Sequence, residues 1–307
     1  MRIVITGALG HIGSFLIREL PKKFPNAKFI LIDNMLTQRY PSLFNLNKKY
    51  NYQFLDDDVN TMDLSKIVKK NDYIIHLAAL TDAANSFDKS KETEKNNYTS
   101  TKKVAEICKK KKAKLIHFSS TSVYGTQNEV VDENCPAEDL KPQSPYAVCK
   151  LKEENYLKKK NNLKFVTLRL GTIFGFSYGI RFHTAVNKFC WQATQQNPIT
   201  IWKTAFNQKR PYLSLIDASR AIIHIIKNDI FDREIYNVVT TNKTVKEIID
   251  VIKIFIKKIK LNYVNSKIMN QLSYEVDNKK FKNKNFKFIG NLKREINKTI
   301  QAISLLK

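Results

Sequence analysis

Three glycines at three-residue spacing, Gly7, Gly10 and Gly13, constrain this chain more than any other feature. They follow directly on the apolar run Ile3-Val4-Ile5 and Thr6. They precede an apolar-periodic segment, Ile12, Phe15, Leu16 and Leu20, which Pro21 is expected to end. Strand, glycine turn and helix in that order are what a dinucleotide site requires. Gly7 allows a tight turn, Gly10 lets the main chain approach a pyrophosphate, and Gly13 lets the helix pack close to the strand. The helix start, with His11 and Ile12, offers N–H groups and a positive dipole end to the phosphates. A second apolar strand, 28–32, closes at Asp33-Asn34. A carboxylate at Asp33 would accept hydrogen bonds from both ribose hydroxyls and repel a 2′-phosphate, which favours NAD over NADP.

The alternation continues. Strands are predicted at 53–55, 73–77, 115–118 and 163–170, with helices over 93–112 and 144–160. Such a pattern predicts an α/β chain with a Rossmann-type, doubly wound parallel sheet. Residues 1–175 read as the cofactor-binding domain that also carries the chemistry, and 176–307 mainly as a smaller substrate-binding lobe. Within the latter, a helix is expected near 183–196, a strand at 199–202, a helix N-capped by Asp217, and a further helix opening at Thr244. The segment around 205–240 is expected to return to the main sheet, and the Lys/Asn-rich stretch 266–285 carries no readable element.

The chain holds 53 Lys+Arg against 28 Asp+Glu, a net charge of +25. Its lysines are scattered, and the densest runs, 109–112 and 158–160, fall at predicted helix C-termini, where cations suit the dipole. Neither run interleaves aromatics as a stacking platform would, so no specific nucleic-acid partner is expected. No apolar run reaches the ~20 residues of a membrane span, and no targeting segment is read, so a cytoplasmic protein without a membrane partner is expected. The four cysteines show neither CxxC spacing nor a metal-ligand grouping, and no metal is expected.

Two motifs carry the chemistry: Ser119-Ser120-Thr121-Ser122-Val123-Tyr124-Gly125 at a strand end, and Tyr146-Ala147-Val148-Cys149-Lys150 at a helix start. Tyr146 and Lys150 are four residues apart and share a helix face. A phenol is a poor base at neutral pH, but a neighbouring ammonium favours the phenolate. With a strand-end hydroxyl such as Ser120 to pass the proton, the set can deprotonate an alcohol while hydride leaves its carbon.

The chain resembles the extended short-chain dehydrogenases/reductases, in the NAD-dependent nucleotide-sugar epimerase/dehydratase group, with UDP-galactose 4-epimerases as the functional type. The resemblance runs from T-G-x-x-G-x-x-G through Asp33, Asp58-Val59, His76-Leu77-Ala78-Ala79, Asn97, Ser120 and Tyr146-x-x-x-Lys150 to Leu168-Arg169, Gly175, Gln208-Lys209-Arg210 and Asp217-Ala218. It implies that Gly7, Gly10, His11, Ile12, Gly13, Asp33, Asn34, Asp58, Val59, Leu77, Ala78, Ala79 and Asn97 serve NAD. Ser120, Tyr146 and Lys150 would form the catalytic set, with Tyr146 and Lys150 also touching the cofactor. Thr81, Ser122, Thr172, Asn187 and Arg210 would face a nucleotide-sugar substrate, the stretch 81–86 edging its sugar. Homodimerisation through the helices near 93–112 and 144–160 is implied as well. Related dehydratases carry acidic residues just after the catalytic hydroxyl; here Thr121 and Ser122 stand there, which points to epimerisation at C4 through a 4-keto sugar. Thr172 stands where many epimerases have Asn, and a late diphosphate-binding Arg is missing near 271–277. The sugar and nucleotide therefore stay open, as does a net reductase or decarboxylase on a nucleotide-linked sugar.

Overall fold

The computed structural model describes residues 1–81, 90–127, 130–265 and 273–304. Its first half alternates β1 (Arg2–Thr6), α1 (His11–Lys23), β2 (Lys28–Asp33), β3 (Asn51–Asp56), α2 (Leu64–Ile67), β4 (Tyr73–His76), α3 (Ser90–Lys111), β5 (Lys114–Ser120), the short β6 (Val130–Val131), α4 (Pro145–Lys158) and β7 (Lys164–Leu170). Then come β8 (Thr172–Phe174), α5 (Ala185–Thr194), β9 (Ile199–Trp202), β10 (Lys209–Ser214), α6 (Leu215–Lys227), β11 (Ile235–Val238) and β12 (Thr241–Thr244). The chain closes with α7 (Val245–Phe255), β13 (Leu261–Val264), β14 (Glu275–Val276), α8 (Lys279–Lys282) and α9 (Leu292–Ser304).

Seven parallel strands form the main sheet in the order β11-β7-β5-β4-β1-β2-β3. Strand order reverses between β1 and β4, and the crevice at the carboxyl ends there is where open α/β sheets bind ligands. Both faces are covered. Ile3 and Ile5 turn to the side of α1 and α6, packing with Leu16, Leu20, Ala221 and Ile225. Val4 turns to the side of α3 and α4, with Val104, Cys108 and Leu157. Alternate strand residues thus feed two cores, each buried aliphatic side chain worth about 1.5–3 kcal/mol over exposure.

Pro21 does not end α1; the helix runs two residues further, to Lys23. Proline lacks the N–H that would bond to the carbonyl four residues earlier. That carbonyl, of Ile17, instead accepts the Tyr52 hydroxyl from β3 at 2.7 Å. Nor does Asp217 cap α6. Ser214 is the N-cap, its Oγ accepting from the Asp217 N–H at 3.1 Å. The Asp217 carboxylate accepts instead from the Ile289 and Gly290 N–H groups and from Thr240. Thr244 caps α7 through a reciprocal capping box with Glu247.

Beyond β7, a three-stranded sheet, β12-β10-β8, and the pair β13-β9 stand apart from the main sheet. Their core joins Phe174, Val186, Ile201 and Tyr212 to α7 and α9 through Ile248, Ile252, Ile296 and Ile300. α6 and β11 belong to the main sheet and its cover, β11 pairing in parallel with β7.

Candidate active site

The glycine turn sits at the carboxyl end of β1, and its conformation explains the residue types. Gly7 has φ +65, and a Cβ there would lie 2.7 Å from the Ala78 main-chain nitrogen, so β1 and the end of β4 touch main chain to main chain. A Cβ at Gly13 would come within 2.5 Å of the Ala8 carbonyl oxygen. Gly10 differs: a Cβ there would meet nothing closer than the Gly7 oxygen at 3.3 Å. It is the least crowded of the three, and it stands at the amino end of α1.

Asp33 ends β2 beside this turn. Its carboxylate accepts from the Leu9 N–H at 2.9 Å and the Met35 N–H at 3.1 Å. Burial raises its pKa, opposed by those two hydrogen bonds and by Arg39. Arg39, unanticipated from the sequence, places a guanidinium nitrogen 3.8 Å from the Cβ position of Gly10. A cation and a carboxylate thus flank a main-chain cradle, which fits a dinucleotide's diphosphate and ribose. Asn34 donates to Asp58 at 2.9 Å, bringing the ends of β2 and β3 together, and Val59 is buried behind them. The chain after β4, Leu77 to Thr81, is half-buried along the crevice, with the Asn97 amide bonded to both the N–H and the carbonyl of Leu80. Residues 82–86, expected at the sugar pocket, lie outside the described residues.

The His11 side chain reaches another part of the site. The ring is buried, its Nε2 lies 2.8 Å from the Gly175 carbonyl, and burial lowers its pKa to about 3. Asn187, expected to face substrate, is fully buried; its Oδ1 accepts from the Gly175 N–H and its Nδ2 donates to the Arg181 carbonyl. Its amide therefore shapes the 175–181 turn. Ile12 packs on the first core.

Ser120 closes β5, and its Oγ accepts the Ser122 hydroxyl at 2.8 Å and the Ser122 N–H at 3.1 Å. Thr121 turns inward, its hydroxyl donating to the Leu170 carbonyl at 3.2 Å and lying 3.4 Å from the Tyr274 hydroxyl. Ser144 N-caps α4 with Pro145 in its first turn, which sets Tyr146 at the helix start. Tyr146 is half-buried, and the Lys150 ammonium stands 5.9 Å from its ring centroid. Burial raises the Tyr146 pKa, while Lys150 pulls it down. Burial also works against the Lys150 ammonium, but Glu153 and Tyr146 outweigh it and raise the lysine pKa.

Arg210 and Thr172 lie on β10 and β8, which pair in parallel, Tyr212 opposite Thr172. Arg210 is half-buried, and its charge lowers the Tyr212 and Tyr274 pKa values against burial, which raises them. Arg181 donates to the Thr81 hydroxyl and lies close enough to pull down the Tyr146 pKa. Two residues that sequence motifs did not flag, Arg39 and Arg181, thus lie against the predicted set, while Tyr274 packs in the core behind Thr121. Among the described residues no group of His, Cys, Asp and Glu could hold a metal ion.

A doubly wound parallel sheet, a glycine cradle at its switch point and a Tyr-x-x-x-Lys helix beside it define an NAD-dependent enzyme of the short-chain dehydrogenase/reductase class. Within that class, the profile of the NAD dependent epimerase/dehydratase family matches residues 3–238, and the chain belongs to that family. The uncharacterised UDP-glucose epimerase YtcB of Bacillus subtilis (strain 168) is 29% identical over 236 residues, covering 74% of this chain and 72% of the relative. A UDP-glucuronic acid 4-epimerase from Bacillus cereus, solved with UDP-glucuronic acid and NAD, is similar over 100% of both chains, with a TM-score of 0.88 at 27% identity. A UDP-N-acetylglucosamine 4-epimerase from Methanobrevibacter ruminantium M1, solved with UDP-N-acetylmuramic acid, has a TM-score of 0.86 at 25% identity over 100% of this chain and 99% of its own.

Proposed function

We propose that the enzyme inverts C4 of a nucleotide-linked sugar through a transient 4-keto sugar. The observation that carries this reading is the Lys150 ammonium 5.9 Å from the Tyr146 ring, on the helix beside the Ser120 strand end. Tyr146 takes the proton of the C4 hydroxyl, Lys150 favours the phenolate that does so, and Ser120 holds the same oxygen. NAD, when bound along Gly7 to Gly13, Asp33 and Arg39, supplies a reversible hydride acceptor for C4. Arg210 neutralises the substrate diphosphate, and Ser122, Thr81 and Thr172 border the sugar. The inward turn of Thr121 supports epimerisation over dehydration, because its hydroxyl is committed to Leu170 and Tyr274 rather than to the sugar. The UDP-sugar 4-epimerases among its structural neighbours make a uridine diphosphate sugar the first substrate to try.

The test is nuclear magnetic resonance of UDP-glucose, UDP-N-acetylglucosamine and UDP-glucuronic acid, and of their galacto epimers, incubated with protein and trace NAD. Interconversion without net NADH is the expected result. If no member of the panel interconverts although NAD binds, the reading fails.

The same reading includes a cytoplasmic homodimer, with the lobe from 176 onward, apart from α6 and β11, receiving the sugar. α3 and α4 pack side by side, Tyr98 against Tyr156 at 5.7 Å, and leave Val148 51% exposed on the outer face. A second copy would cover that face in a four-helix bundle. Sedimentation of wild type against Val148→Glu decides it, the variant being expected to sediment as a monomer. Three of the four free cysteines are buried, which suits a reducing compartment, and among the described residues no helix is long and apolar enough to cross a membrane.

A further inference from the structure

Three donors converge on one carboxylate directly behind the proposed catalytic pair. Glu153 is 0% exposed. Its Oε2 accepts from the Lys150 ammonium at 2.9 Å and lies 2.9 Å from His117 Nε2, while its Oε1 accepts from the Cys149 thiol at 3.4 Å. Only a donor fits against a carboxylate oxygen, so His117 Nε2 carries a proton, and its Nδ1 faces the Thr167 hydroxyl at 3.2 Å. His117 lies on β5, three residues before Ser120, and is itself fully buried. The dyad therefore ties the helix that carries Tyr146 and Lys150 to the strand that carries Ser120.

A buried carboxylate is expensive unless charge-paired and hydrogen-bonded, and a buried pair of this kind is weak evidence for stability alone. Here the paired cation is the one the reaction uses. We infer that Glu153, held by His117, is a positioning residue for catalysis: it anchors the Lys150 ammonium beside Tyr146 and sets how strongly that ammonium favours the phenolate. This rests on Tyr146 and Lys150 acting as proposed above. The carboxylate offsets part of the positive charge that the phenol feels. Glu153 stands with burial in raising the Tyr146 pKa, while Lys150 and Arg181 lower it. Burial raises the Glu153 pKa, but Lys150 and His117 outweigh it and hold it at about 2. The other ionisable groups facing the cluster are Cys149 on α4, whose surroundings include Glu94 of α3, and His76 on β4, in register beside His117.

The test is a titration of Tyr146 in NAD-saturated protein, read as the near-ultraviolet phenolate absorbance that Tyr146→Phe removes. It is run with and without Glu153→Gln, which keeps the side-chain shape and loses the charge. The Tyr146 midpoint is expected to fall by about one pH unit, and the acid limb of kcat to move with it while KM changes little. A merely structural role would lower Tm without moving the midpoint. An unmoved midpoint in a folded Glu153→Gln protein overturns the inference. Should that variant not fold, Glu153→Asp draws the charge back by one methylene; a smaller shift in the same direction supports the inference and none overturns it. Because the midpoint needs no substrate, a wild type that interconverts no sugar would defeat the epimerase reading while leaving this one to be decided by the titration.

Discussion

Arg169 on β7 donates two hydrogen bonds to Glu154 on α4, Nε to Oε1 at 2.9 Å and Nη2 to Oε2 at 2.7 Å, with both side chains buried. The guanidinium also lies 4.8 Å from the centre of the Tyr124 ring. One fork thus bolts the helix of Tyr146 to the sheet and to the turn that follows Ser120. Removing one partner of such a pair leaves the other charge buried alone. Arg169→Ala is expected to destabilise the protein by about 3–5 kcal/mol in urea unfolding. Arg169→Lys should recover only part of that, because an ammonium cannot make the fork.

Tyr146→Phe removes the proposed base and almost no volume. Turnover is expected to fall by about 10²–10⁴-fold, with NAD affinity and Tm close to wild type. Turnover near wild type would remove Tyr146 from the chemistry and the proposed mechanism with it.

The three glycines separate cofactor binding from folding. At Gly10 the backbone is extended, φ −64 and ψ 177, which any residue adopts, and a Cβ meets the Gly7 oxygen at 3.3 Å and an Arg39 guanidinium nitrogen at 3.8 Å. Gly10→Ala should lower Tm less than Gly13→Ala and weaken NAD by about tenfold or more, since the new methyl enters the cradle beside Arg39. Gly13→Ala drives a methyl to 2.5 Å from the Ala8 oxygen and should cost about 1–3 kcal/mol of stability as well. Calorimetry with NAD, paired with thermal unfolding, reads both effects.

The parts of this site legible in the sequence are those fixed by local geometry. The glycine spacing, the acid ending β2 and the Tyr146/Lys150 helix face each follow from the conformation of a few neighbouring residues. What was not legible depends on contacts between distant segments. Nothing near Pro21 announces that the Tyr52 hydroxyl will cover the Ile17 carbonyl and let α1 continue. Nothing near Asp217 announces the main chain at 289–290 that claims its carboxylate. Glu153 and His117 are 36 residues apart and meet only when helix packs on strand. The same holds for α9, whose apolar face finds its partners in α5 and α7.

Two buried histidines contribute to the loss of stability in acid. Burial lowers the pKa of both His11 and His76 from 6.5 to about 3, so each imidazole stays neutral in the native state. Above pH 6.5 neither the native nor the unfolded chain protonates them, and their full contribution to stability is present. Below it the unfolded chain binds protons that the native state refuses, and stability falls until the native rings also protonate near 3. Each ring then contributes a slope of up to about 1.4 kcal/mol per pH unit. His11→Gln keeps a donor for the Gly175 carbonyl but cannot titrate. Urea unfolding between pH 6.5 and about 5 should show a shallower loss of stability for that variant than for wild type. Equal slopes would mean that His11 titrates alike in the folded and unfolded chain.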